Sequence, residues 1–140
     1  MTVSKVAKFL THKGGNIGIT LAVAAIPLVA SAGIAVDYIN RNQAQARVQA
    51  AVDAGALAGA SMRNASEASI RKAIKDFAET NGVGEYLNNP SALKIEIASN
   101  GAITVEAEGR VPTTLSRVLG FEYLEVGARS QALRGESGAE

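Results

Sequence analysis

The sequence predicts an α+β protein in which one long N-terminal helix crosses a membrane and then supports a small antiparallel sheet. Three observations predict this fold. Residues 17–36 carry no charge, residues 37–63 contain no proline and are rich in Ala, Gln and Arg, and the C-terminal part alternates apolar with polar residues. The first pattern is typical of a spanning helix, the second of a helix that continues it, and the third of strands. A second helix is predicted between the long helix and the strands.

The apolar segment of residues 17–36 is long enough to cross a hydrocarbon core of about 30 Å as a helix. Membrane helices tolerate an internal proline, because neighbouring groups satisfy the carbonyl that it frees. Lysines precede the segment at positions 5, 8 and 13, and positively charged flanks favour the cytoplasmic side. We therefore expect residues 1–16 to be a cytoplasmic flank and the remainder to lie outside. The residues assigned to the span include Ile17, Leu21, Pro27 and Val36.

Asp37 and Tyr38 mark the predicted exit from the membrane. Asp37 is the first charge after the apolar run, and Arg41 follows four residues later. At this spacing an acid and a base can pair on a helix surface. We expect Asp37 to end the span and to pair with Arg41, and residues 37–63 to continue outward as a stalk helix.

Three outcomes for the N-terminus are open, ranked here in order. The first is an uncut anchor. The second is cleavage after Ala32, because Ala30-Ser31-Ala32 has the small-x-small form of a signal-peptidase site. The third is a prepilin-type cut between Gly15 and Asn16, although Thr20 stands where type IV prepilins usually carry Glu.

Small residues form a stripe on the predicted stalk. Ala51, Gly55 and Gly59 repeat at four-residue spacing, and such spacing lets another backbone approach closely. The stripe is a candidate helix-packing seam for self-association. Packing against the chain's own domain is at least as good an interpretation.

A second helix is predicted over residues 65–80. Asn64 and Glu67 have capping-box spacing, Ile70, Ile74 and Phe77 recur on one face, and Asn81-Gly82 supplies a stop. This helix opens the small α+β domain that we assign to residues 64–134.

A hairpin is predicted with strands at residues 93–98 and 102–111. A two-residue turn would mix apolar and polar residues on each face. A three-residue loop with Gly101 in the left-handed conformation pairs Ile97 with Ile103, and Ile95 with Val105. It also places Lys94 opposite Glu106. The pattern therefore favours the three-residue loop.

The last elements are a short helix and a third strand. Thr113 is expected to cap a helix in which Leu115, Val118 and Leu119 face inward and which Gly120 ends. Residues 122–133 alternate as a strand, and residues 135–140 read as a flexible tail.

Composition excludes several functions. Fourteen Lys and Arg against 13 Asp and Glu give a net charge of +1, and the chain has no Trp, so nothing predicts nucleic-acid binding. The absence of Cys excludes disulfides and thiolate sites. The single histidine, His12, lies among the flanking lysines. We predict no catalytic, metal or cofactor-binding residue.

The N-terminal part resembles the TadE/TadG-like Tad (Flp) pilus-assembly family. The resemblance lies in Gly15-Asn16, Pro27, the Ala-Val-Asp-Tyr step of residues 35–38 and the run of residues 49–60; residues 111–121 and the strand behind them resemble TadG-like proteins more weakly. The α+β fold expected from the residues is pilin-like. The resemblance implies a single-pass protein of the bacterial inner membrane that belongs to a pilus or secretion apparatus and has its C-terminal part in the periplasm. Expected partners are the lipid bilayer and other pilus-assembly proteins or pilins. The chain has no room for the von Willebrand factor A-type domain of longer members. Two alternatives stay open, a structural filament subunit and a secreted periplasmic binding module.

Overall fold

The computed structural model describes residues 16–86 and 93–135. Residues 1–15 of the predicted cytoplasmic flank, including Gly15, therefore lie outside the described residues, as do residues 87–92 and the last five residues of the predicted tail. The described elements, in chain order, are helix α1 (Asn16–Ser61), helix α2 (Glu67–Thr80), a 3₁₀ turn (Val83–Glu85), strands β1 (Leu93–Ile97) and β2 (Ala102–Pro112), a second 3₁₀ turn (Ser116–Leu119) and strand β3 (Tyr123–Leu133). The predicted α+β fold is confirmed.

The three strands form one antiparallel sheet in the order β1-β2-β3. In the hairpin, Ile97 pairs with Ile103 and Ile95 with Val105, and Gly101 has φ of 79°. The predicted three-residue loop and its register are therefore confirmed. Lys94 does lie opposite Glu106, but its ammonium group is 3.8 Å from the carboxylate of Glu108. Glu106 instead pairs with Arg129 across β2 and β3 at 3.1 Å.

Helix α2 begins later than the capping-box spacing predicts. Ser66, not Asn64, is the N-cap, and its hydroxyl accepts from the backbone N–H of Ser69. Asn64 has φ of 59°, so it forms part of the turn between the helices. Ile70 and Ile74 are buried as predicted, but the third buried position is Ala78 and Phe77 is exposed.

The core lies between α1, α2 and one face of the sheet. Small and β-branched side chains from the outer half of α1 meet apolar residues of α2 and β2. The fully buried larger members are Val48, Val52, Ile70, Ile74, Val83, Ile103 and Val105. This packing fixes the outer half of α1 on the domain, while the inner half of the same helix extends beyond it.

Candidate functional site

The inner half of α1 is apolar on every side and almost wholly uncovered. An 18-residue window of this helix has a mean hydropathy of 2.3, and only 6% of that window is covered by the rest of the chain. Ile17, Leu21 and Val36 of the predicted span are exposed. Pro27 lies inside the helix, and its carbonyl accepts from the Ser31 hydroxyl at 2.7 Å. By length and composition, this helix can cross a membrane.

The apolar character ends at Asp37, whose side chain is only 2% exposed. Its carboxylate accepts from three consecutive backbone N–H groups of a distant loop, those of Thr114 (2.8 Å), Leu115 (3.0 Å) and Ser116 (2.6 Å). The hydrogen bonds from the backbone of Ser116 and then Thr114 lower the pKa of Asp37 to about 2. Charged acceptors make hydrogen bonds that are stronger than neutral ones. Asp37 therefore ties the end of the apolar segment to the C-terminal domain.

The expected pair between Asp37 and Arg41 is wrong. The Arg41 guanidinium instead donates from Nε to the carbonyl oxygen of Glu125 at 3.1 Å. Both residues lie on the face of α1 that meets the domain, so each satisfies backbone groups of the domain. Tyr38, the other predicted exit residue, is exposed.

The loop that Asp37 holds, residues 113–121, differs from the predicted helix. It contains the 3₁₀ turn Ser116–Leu119, which Gly120 ends at φ of 91°. Leu115, Val118 and Leu119 do not face inward. All three are exposed, Val118 by 87%. With Ala25, Ile26, Val29 and Ala30 they line an apolar groove of about 420 Å³ between the loop and the inner half of α1.

Close contact between this loop and α1 requires a glycine at position 33. Gly33 is buried, and a Cβ built there would lie 2.7 Å from Cβ of Leu115. No real Cβ contact is that short, so any side chain at position 33 would push the loop away. Gly33 and Asp37 are four residues apart and lie on the same helix face. This pair of residues is the docking point of the 113–121 loop.

The docking face continues along the outer half of α1 as a row of hydrogen bonds to β3. Arg41, Gln45 and Gln49 donate to the carbonyl oxygens of Glu125, Gly127 and Arg129. Gln45 also accepts from the N–H of Gly127 at 3.1 Å. Four residues of helix rise about 6 Å, and two residues of strand rise about 6.7 Å, so the two repeats match. The helix thereby covers the outward edge of β3, which would otherwise be free to pair with another chain.

The predicted small-residue seam lies inside the domain. Ala51 is fully buried. A Cβ added to Gly55 would lie 3.2 Å from the carbonyl oxygen of Ile74, and one added to Gly59 would lie 2.7 Å from the Ile74 Cδ1 atom. This face of α1 is therefore covered by α2 of the same chain, and self-association through it stays a prediction.

The candidate processing residues lie in or next to a continuous helix. Ala30 and Ala32 are inside α1, and Asn16 is its first residue. Ala30 also lines the groove beside the 113–121 loop. Within residues 16–86 and 93–135, no group of three or more His, Asp or Glu side chains is placed to hold a metal ion.

One comparison with known proteins identifies the N-terminal segment. The model of the Tad family, described as "Putative Flp pilus-assembly TadE/G-like", matches residues 15–62. Those residues are TadE/G-like. The match covers about a third of the chain and includes the apolar half of α1, Asp37 and the stalk. It confirms the resemblance predicted for the N-terminal part, whereas the weaker resemblance of residues 111–121 lies outside the match and stays a prediction. No curated protein and no solved structure matches the chain significantly.

Sequence reasoning missed how the TadE/G-like segment connects to the C-terminal domain. It did not identify Gly33, Gln45 and Gln49 as docking residues, and it gave Asp37 the wrong partner. One signal was available, because Gly33, Asp37, Arg41, Gln45 and Gln49 are spaced four apart. They form a stripe of one small and four polar residues along a helix face, beginning at the end of the apolar segment.

Proposed function

We propose that the chain is a single-pass, non-enzymatic component of a Tad/Flp-type pilus-assembly apparatus. Residues 17–36 anchor it in the bacterial inner membrane, with the N-terminus in the cytoplasm and the C-terminal domain in the periplasm. The observation that carries the proposal is the change within α1 at Asp37. Inward of it, large apolar side chains are exposed all round the helix. Outward of it, a stripe of Ala and Val faces the domain core, and Ile39 and Leu57 are the exposed aliphatic exceptions among the larger side chains.

An uncut anchor is favoured over a secreted module because the cleavage site lies inside α1, next to the groove beside the 113–121 loop. Cleavage after Ala32 would fall inside α1, and proteolysis prefers exposed, flexible segments to regular helices. It would also remove Ala25, Ile26, Val29 and Ala30 from the groove beside the 113–121 loop. A secreted form would then display Leu115, Val118 and Leu119 to water without their helix.

Partner binding is assigned to surfaces that the fold leaves uncovered. The small-residue seam contacts Ile74 of α2, so a partner at that face would have to displace α2. Asp37 is likewise engaged by the 113–121 loop. The exposed sides of the stalk and the outer face of the sheet are available to pilins or other assembly proteins.

Two measurements in the native host test the proposal. The intact mass of the protein in the membrane and soluble fractions gives the mature N-terminus, and labelling of spheroplasts with a membrane-impermeant maleimide gives the topology. Since the chain has no Cys, Leu57→Cys and Ser4→Cys report on the two sides without interference. We expect an intact membrane form in which L57C reacts in spheroplasts and S4C reacts only after lysis.

Other outcomes would contradict parts of the proposal. A soluble form beginning at Gly33 would replace the anchor by a secreted module. A membrane form beginning at Asn16 would favour a pilin-like filament subunit. Labelling of S4C in intact spheroplasts would mean that the N-terminus lies outside the cytoplasm, which is the opposite of the proposed topology.

A further inference from the structure

We propose that the 113–121 loop is a second membrane contact, which inserts Leu115, Val118 and Leu119 among the lipid acyl chains of the outer leaflet beside α1. This inference rests on the proposed anchor. It adds to the anchor a defined orientation of the domain on the membrane surface.

The position of the loop along α1 is the first argument. Leu115 contacts Gly33, and the groove beside the loop extends along α1 to Val29 and beyond. Gly33 and Val29 precede Asp37 by four and eight residues, so they lie about 6 and 12 Å further inward at 1.5 Å per residue. If residues 17–36 span the bilayer, the exposed tip of the loop lies at the depth of the outer leaflet.

The surface of the loop is the second argument. Leu115, Val118, Leu119 and Phe121 are all exposed, and the first three continue the apolar surface of α1 across the groove. A contiguous apolar surface of this kind marks a contact with a membrane or a protein. Continuity with the uncovered helix favours lipid, because any acyl chain that covers α1 at this level also reaches the loop.

The backbone of the loop is the third argument. Irregular backbone enters a membrane only if its polar groups are satisfied by protein. Asp37 accepts from three successive N–H groups, and further groups are bonded within the loop or to Glu122. The Thr113 hydroxyl also donates to the carbonyl oxygen of Phe121. The N–H groups with protein acceptors are those of Thr113, Thr114, Leu115, Ser116, Val118, Gly120 and Phe121.

The charged residue within the loop, Arg117, is compatible with a loop that lies at the membrane surface. Arg117 follows Ser116, whose backbone is held by Asp37 at the end of the apolar segment. A long cationic side chain at that level can place its guanidinium among lipid phosphates while its stem lies along apolar surface. Glu122 comes after the loop, so the tip itself carries no acidic residue.

Fluorescence quenching in vesicles tests the insertion. The full chain is reconstituted in phosphatidylethanolamine and phosphatidylglycerol vesicles as three single-cysteine variants, Val118→Cys, Leu28→Cys and Leu57→Cys. The three native side chains are highly exposed in the structure, so labelling with an environment-sensitive dye should not disturb the fold. L28C reports on the spanning helix, and L57C reports on the stalk in water.

We expect V118C to show blue-shifted emission and quenching by doxyl-labelled lipid, as L28C does, whereas iodide in the buffer quenches L57C alone. If L28C is quenched by lipid but V118C behaves like L57C, loop insertion is overturned and the anchor stands. If L28C itself is reached by iodide, the proposed anchor fails. If V118C is shielded from both quenchers, a protein neighbour covers it and the lipid contact is overturned.

Discussion

The inner and outer halves of α1 belong to one uninterrupted helix, but their side chains face different surroundings. The inner half exposes apolar side chains all round, and Gly33, near its end, is the one residue of the described positions 17–36 that is buried. The outer half buries a stripe of Ala and Val and uses polar side chains to hold β3. The comparison shows that helix propensity alone does not distinguish the two halves. What distinguishes them is the medium that satisfies their side chains.

The largest effect is expected from charges in the inner half. The double variant Leu21→Asp with Leu28→Asp places two carboxylates in the span, each at a cost of roughly 2.5–3.5 kcal/mol of insertion free energy. Loss of the carbonate-resistant membrane fraction is the expected result. Leu57→Asp with Leu133→Asp is the matched control, since these leucines are as exposed, at 69% and 70%, as Leu21 and Leu28, both at 70%. Equal membrane fractions for the two double variants would remove the distinction between the halves.

Replacing glycines by leucine should destabilise the outer half of α1 and leave the inner half unaffected. Leucine at Gly55 and Gly59 would collide with Ile74, and overpacking a core costs about 1–3 kcal/mol at each position. Gly18→Leu is the control within the inner half, because nothing lies within 4 Å of a Cβ built there. The midpoint temperature of thermal unfolding in detergent should fall for the double variant at Gly55 and Gly59 and stay unchanged for G18L. Unchanged unfolding in the outer pair would mean that α2 does not pack on this face.

The junction between the halves should be sensitive to acid through Asp37. A carboxylate whose pKa falls from 3.8 in the unfolded chain to about 2 in the folded chain stabilises the fold above pH 3.8. That stability is lost as the pH falls through about 2. Asp37→Asn should lack this part of the acid transition and should exchange the amide hydrogens of Thr114 and Ser116 faster at neutral pH.

Asp53→Asn is the control for the acid experiment, because Asp53 is an exposed carboxylate on the same helix. Other carboxylates also titrate in this range, so the informative quantity is the difference between each variant and the natural chain. Identical acid transitions and identical exchange for D37N and D53N would contradict the docking role of Asp37.

The secondary-structure elements were predicted from the sequence better than the contacts between them. The hairpin register followed from apolar pairing and from Gly101, both of which are local to two neighbouring strands. The 113–121 loop was mispredicted because Leu115, Val118 and Leu119 were assumed to face a protein core. Their exposure depends on the last turns of the apolar helix, about 80 residues earlier in the chain. Asp37 had a plausible partner one turn away, and no local pattern reveals the three N–H groups that it binds.

The smallest effect is expected where the outer half covers the edge of β3. Gln45→Ala removes both hydrogen bonds to Gly127, and a typical hydrogen bond contributes about 0.5–1.5 kcal/mol net. Because Gln45 is half-buried at the surface, we expect a loss of roughly 1 kcal/mol in the free energy of unfolding. Gln43→Ala is the control, since Gln43 lies on the exposed side of the same turn. Greater aggregation of Q45A than of Q43A would show in addition that the row of hydrogen bonds keeps the strand edge from pairing with other chains. Equal stability of the two variants would mean that apolar packing alone holds the outer half of α1 on the sheet.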